Sequence, residues 1–184
     1  MTPRLRPGVF VFLGLLCFAA IDLHSTDFRP LSIEQLSGRA TMILHGTVVG
    51  KSVQRDAEGR IYTKVDLEVN EAWKGPSQGK HFTLVHAGGV LGEEWSMASG
   101  QEEYDVGEEV VAFVVLNRRG EGVTVGLAQG KFHVSPDAVS GEKRVHNLFH
   151  GHAPENAADA NSAGVKRAVL PLIELKRRVQ APQP

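Results

Sequence analysis

Three histidines stand close together in the last third of the chain, His146, His150 and His152, spaced His-x-x-x-His-x-His. Neutral imidazoles at such spacing can meet one divalent ion, and the ions they suit are zinc, copper or nickel. Asn147 stands where the helical zinc-protease motif carries glutamate, and Gly151, Ala153 and Pro154 interrupt any regular element around the set. The spacing supports a metal-binding reading with zinc or copper, set against a solvated histidine cluster without a ligand.

A second group lies in residues 87–107, where Glu93, Glu94, Glu102, Glu103 and Asp105 could offer oxygens to calcium. Their spacing does not match the ligand ladder of an EF-hand, so a solvated acidic loop is the simpler account. Trp95, Met97 and Tyr104 occupy the same stretch, and aromatic and methionine side chains in a loop are the type that anchors a protein partner. Asp66 and Glu68 could pair for acid and base work, but they alternate with Lys64 on a polar face and read as solubility. Ser96, Ser99 and Ser135 lack the G-x-S-x-G setting of a hydrolase nucleophile. Gly88-Gly89 is followed by neither a P-loop lysine nor dinucleotide spacing.

These residues must be positioned by strands. From Ile61 to Asn70, apolar and polar side chains alternate: Ile61, Thr63, Val65, Leu67 and Val69 on one face, Tyr62, Lys64, Asp66, Glu68 and Asn70 on the other. A strand turns over every second residue, so the pattern predicts a half-buried β-strand. Residues 41–49 are apolar and β-branched, with a continuation to Val53 past Gly50, and the polar run 54–60 predicts a hairpin connection at Gly59. Residues 81–86 predict another short strand after the break at Lys74-Gly75-Pro76. The unbroken apolar run 110–116 predicts a strand covered on both faces, at the centre of the structure. Short strands are expected at 123–127, 131–135 and near 144–149, and a helical turn at 31–38.

Residues 87–107 predict a long irregular loop punctuated by Gly88, Gly89, Gly92, Gly100 and Gly107. Residues 150–164 read as a flexible linker, and helical periodicity resumes at 165–179, with the helix proper expected to begin near Pro171.

The full chain has 184 residues, 42% hydrophobic and 22% charged, with 20 glycines and a net charge of −1, which bounds it to one turn-rich globular domain. Balanced charge and two tryptophans and two tyrosines argue against a nucleic-acid partner. Arg4 and Arg6 precede the apolar block 9–21, which is short for a membrane span and suits a secretory signal peptide over 1–25. Cys17, the single cysteine, lies inside that block behind Leu16, so lipidation is not expected and cleavage would leave a chain without thiols.

The order Ala40-Thr-Met-Ile-Leu-His-Gly-Thr-Val, Ile61-Tyr-Thr-Lys-Val, Ala72-Trp-Lys-Gly, Gly88-Gly, Gly107-Glu-Glu-Val and Gly126-Leu-Ala-Gln-Gly-Lys-Phe resembles a group of uncharacterised bacterial secreted proteins. The resemblance covers roughly residues 31–134 and implies a small antiparallel barrel of the OB or netrin-module kind. That architecture is similar to the inhibitory domain of tissue metalloproteinase inhibitors, whose zinc-chelating N-terminal cysteine this chain lacks.

The expected organisation is therefore mainly β: a signal peptide at 1–25, an OB-like barrel at 26–149, a flexible linker at 150–164, and a C-terminal helix and tail at 165–184. The leading functional reading is a secreted or periplasmic, non-enzymatic binding module without a cofactor, engaging a protein or cell-envelope component through Trp95, Met97 and Tyr104. No membrane association is expected beyond the signal peptide. The alternatives are a metal function of His146, His150 and His152, and an inhibitor or accessory factor of an extracellular protease.

Overall fold

The computed structural model describes residues 29–76, 79–101, 103–151 and 169–182. The expected signal peptide, most of the expected linker, residues 165–168 of the expected helix, Glu102 and His152 lie outside the described residues.

The chain enters through α1 (Ile33–Arg39). Ser32 starts it with a capping box, its hydroxyl accepting from Gln35 N at 3.1 Å while Gln35 Oε1 accepts from Ser32 N at 2.9 Å. Ile33 and Leu36 face the core, and Gly38 is exposed with nothing within 4 Å of where a Cβ would stand. Gly38→Ala is expected to raise stability by about 0.5–1 kcal/mol by removing glycine's excess unfolded freedom. Thermal denaturation measures it, and an unchanged midpoint would mean that this last turn is not helical in solution.

Two long strands follow, β1 (Met42–Arg55) and β2 (Ile61–Lys74), joined by the predicted turn, in which Gly59 takes φ 84°. They form an antiparallel ladder with irregularities at Ile43/Leu44, His45/Gly46 and Val48/Gly50. Such irregularities strengthen twist and let a long hairpin coil. β3 (His81–Ala87) pairs antiparallel with β2. β4 (Gly89–Leu91) and β5 (Glu94–Ser96) form a separate two-stranded sheet within the stretch expected to be irregular, where glycine turns hid two three-residue strands.

β6 (Glu109–Leu116) pairs antiparallel with β1 and with β7 (Gly122–Thr124), and also with β8 (Lys131–Pro136) through residues 110–112. A 3₁₀ turn, Leu127–Gly130, stands where the expected 123–127 strand would have ended. β9 (Lys143–His146) and β10 (Leu170–Pro171) complete an eight-stranded sheet in the order β1-β2-β3-β7-β6-β8-β9-β10, with β1 also paired to β6. β3 meets β7 in parallel at a single residue pair, Leu84 with Gly122. At Gly122 a Cβ would stand 2.6 Å from Phe82 Cε1 and 2.8 Å from Leu84 Cδ2, so only glycine lets β7 come this close. α2 (Leu172–Gln180) ends the described chain and begins just past Pro171.

The fold is mainly β with a C-terminal helix. Strand alternation divides its core into two layers. Met42, Leu44, Val65, Leu67, Phe82 and Leu84 form an inner cluster with Val110, Ala112 and Val114. Ile43, Val111, Phe113 and Phe132 point the other way and are covered by Ile33, Leu36, Leu175 and Val179 from the two helices. β6 supplies both clusters, which is why its sequence is apolar without alternation. Arg178 Nε donates to Glu34 Oε1 at 2.9 Å and links α2 to α1. Among the described residues no helix is long and apolar enough to cross a membrane.

Candidate functional site

Gly88 and Gly89 turn the chain out of β3 with φ of 88° and 138°. Gly88 N donates to Ile61 O at 2.9 Å, and Thr63 Oγ1 donates to Gly88 O at 2.7 Å, so the exit is anchored on β2. Close packing explains the glycine pair: a Cβ on Gly88 would stand 2.6 Å from Ser96 O, and one on Gly89 2.6 Å from Thr63 Oγ1. From this base projects the β4–β5 hairpin, turning at Gly92 with φ 65°. Val90 and Trp95 are directly opposed across it, hence on one face, and are 68% and 70% exposed. Met97, just beyond, is 83% exposed. Glu93 and Glu94 lie at the turn, and Glu94 reaches Arg55 Nη2 at 2.7 Å in an exposed pair of little energetic weight.

Tyr104 does not join this surface. It is 1% exposed, belongs to the inner cluster, and its hydroxyl lies 2.8 Å from Thr124 Oγ1. Lys131 Nζ stands 4.8 Å from the Tyr104 ring centroid and the His86 ring stacks on it at 6.4 Å. Lys131, itself 1% exposed, pairs with Glu108 Oε2 at 2.8 Å and donates to the Glu103 carbonyl. The loop aromatic selected as a contact residue is thus a plug, because a hydroxyl partner and a buried cation are available inside. Burial opposes ionisation of Glu108, but His133 and Lys131 outweigh it and hold its pKa at about 2. His133 Nδ1 approaches Glu108 Oε1 closely, and this contact helps to hold the carboxylate ionised.

The histidine set separates. His146 opposes His133 across β8 and β9, and the two rings stack at 5.2 Å. His150 stacks on Phe132 at 5.8 Å and its Nε2 donates to Leu31 O at 2.8 Å. Burial lowers its pKa, which favours the neutral ring. His150 therefore fastens the entry segment to the outer layer, while His152 lies outside the described residues. Among the described residues no three histidine, cysteine or carboxylate side chains stand together as a metal site requires. In the acidic loop, Glu103 and Asp105 flank Lys51 at 3.6 and 3.8 Å. Asp66 and Glu68 are exposed on β2.

A cavity of about 460 Å³ between β1, β2 and α2 escaped sequence reasoning. Trp73, Pro171 and Leu172 give it an apolar side, and of its polar side chains His45, Glu71, Lys143 and Lys176 are already paired. His45 Nε2 lies 2.6 Å from Glu109, which also accepts from Lys143 at 2.7 Å, and Glu71 accepts from Trp73 Nε1 and from Lys176, both at 2.8 Å. A histidine oriented by a carboxylate can polarise a water, but among the described residues no hydroxyl or thiol lines this cavity. Its residues come from four separated segments, so no local motif announced it.

No protein-family model matches this chain, and no curated protein matches it.

Proposed function

We propose that this chain is an exported, non-enzymatic binding module on an OB-like barrel, and that it takes hold of a protein of the cell envelope through the β4–β5 hairpin. The observation that carries the reading is the exposure of Val90 and Trp95 opposite each other on this hairpin, with Met97 exposed just beyond it. Large apolar side chains grouped in this way mark interaction surfaces, and tryptophan is the residue type that most often dominates their energy. Glu93 and Glu94 beside Trp95 favour a partner whose apolar cleft is edged by cations. Export is supported by the apolar block 9–21 behind Arg4 and Arg6, and fits the resemblance to bacterial secreted proteins. The proposed barrel draws support from the pairing of β6 back to β1 and from the single parallel contact of β3 with β7.

The test is crosslinking on intact cells with the Trp95→Ser/Met97→Ser variant beside the parent chain. Crosslinked partners should disappear while the unfolding free energy stays within about 0.5 kcal/mol, because both side chains are solvated already. Crosslinking unchanged in the variant would remove the hairpin as the binding surface. Tyr104 is unsuitable for this test, since its removal empties part of the core.

A further inference from the structure

His86 shares its side of β3 with Phe82 and Leu84, two residues of the inner cluster, and is 7% exposed. Its Nδ1 lies 3.1 Å from the Ala87 carbonyl. A carbonyl only accepts, so Nδ1 carries the proton and neutral Nε2 presents a bare lone pair. That Nε2 is buried and has no hydrogen-bond partner among the described residues. The ring lies nearly parallel to Tyr104, at 26°. Lys51 from β1 and Lys131 from β8 disfavour a positive charge there, and Glu103 favours one. On the other side His86 borders a shallow cavity of about 300 Å³ that it shares with Asp56, Arg60 and Arg119.

We propose that Tyr104 is an acid-released plug with His86 as its trigger: a second proton on the buried imidazole finds no acceptor at Nε2 and adds a cation beside Lys51 and Lys131. The closed arrangement is strained by that charge, residues 103–107 swing outward, and the apolar interior behind Tyr104 becomes accessible. Burial already holds the His86 pKa below the ordinary 6.5. A depressed value means that the closed state keeps its full advantage above the ordinary histidine range and loses it as pH falls through that range towards the lowered value. Glu108, at about 2, stays ionised throughout, so the Lys131 anchor does not change in the same window. His150 is a second buried histidine, but its ring touches Phe132 and Leu31, and its protonation reads out there.

Hydrogen exchange on the full chain between pH 7 and pH 5, corrected for the intrinsic pH dependence of exchange, tests the proposal. Protection of residues 103–107 should fall by up to about tenfold per pH unit, the limit for one linked proton. In His86→Phe, which keeps a ring against Tyr104 and cannot titrate, the profile should be flat. An equal loss in both proteins, or none in the parent, overturns the proposal. Should His86→Phe fail to fold, the His86 ring resonances of the parent decide: titration in step with Tyr104 supports the trigger, and titration without any change at Tyr104 overturns it. The β4–β5 hairpin does not enter this argument, so either result leaves the partner-binding test independent.

Discussion

Lys131→Met is expected to lower the stability of the folded protein by about 3–5 kcal/mol, the range for removing one partner of a buried ion pair. Methionine preserves most of the volume, so the loss isolates the charge. Lys131 Nζ serves Glu108 Oε2 at 2.8 Å, the Glu103 carbonyl and the face of Tyr104, and its side chain is 1% exposed. Without it, a carboxylate whose side chain is only 15% exposed loses its buried ammonium partner and keeps only the His133 contact, and the segment from Glu103 to Glu108 loses its tie to β8. Urea denaturation at pH 7 measures the effect; a loss below about 1 kcal/mol would mean that solvent screens the pair as it screens surface pairs. Glu108→Gln in the Lys131→Met background should recover part of the loss, because the unpaired charge is then gone.

The same pair predicts acid behaviour. Glu108 ionises at about 2 in the folded chain against 4.5 for the unperturbed group. A lowered carboxylate pKa contributes stability that is complete above the unperturbed value and is lost as pH falls towards the folded one, here about 3 kcal/mol in all. The parent should therefore lose stability steeply below pH 4.5, and Lys131→Met should lose less over the same range.

Gly46→Ala is expected to cost about 3 kcal/mol or more, at the upper end of what overpacking does. Gly46 lies in β1 opposite Val69 on one side and Val110 on the other, so β1 is held by both neighbours at this point. A Cβ there would stand 2.3 Å from Glu68 O and 3.0 Å from Leu67 Cγ. The first obstacle is backbone in a ladder and cannot step aside without parting β1 from β2. Gly50→Ala is the internal control: its Cβ would meet the Asp66 side chain at 3.3 Å, a flexible end that can rotate away. Chemical denaturation should separate the two variants by at least about 2 kcal/mol, and equal midpoints would mean that the β1–β2 ladder relaxes freely at its irregularities.

Sequence chemistry picked out Trp95, Met97 and Tyr104 as equals, and the structure divides them, two outward and one inward. Nothing local distinguishes them, since each is a large side chain in a glycine-punctuated stretch. What settles Tyr104 is a hydroxyl partner at Thr124 and a cation at Lys131, both supplied by strands that follow later in the chain. Lys131 was equally opaque, because a lysine at the start of a short strand reads as solvated until an acid such as Glu108 is brought against it. His146 and His150 stand four residues apart in the sequence, but β9 ends at His146 and the chain then turns His150 back onto Leu31.

Three features are legible in consecutive residues alone: the half-burial of β2, the covering of β6 on both faces, and the turn at Gly59. These are properties of a few consecutive residues, since alternation of side chains and tolerance of positive φ belong to the local backbone. The placement of β6 against β1, the parallel approach of β7 to β3 over Gly122, and the closing of α2 over the outer cluster are settled by packing across the whole chain. Those contacts join segments far apart in the chain, and they form because each apolar face must be buried against another, a demand that local periodicity states without naming the partner.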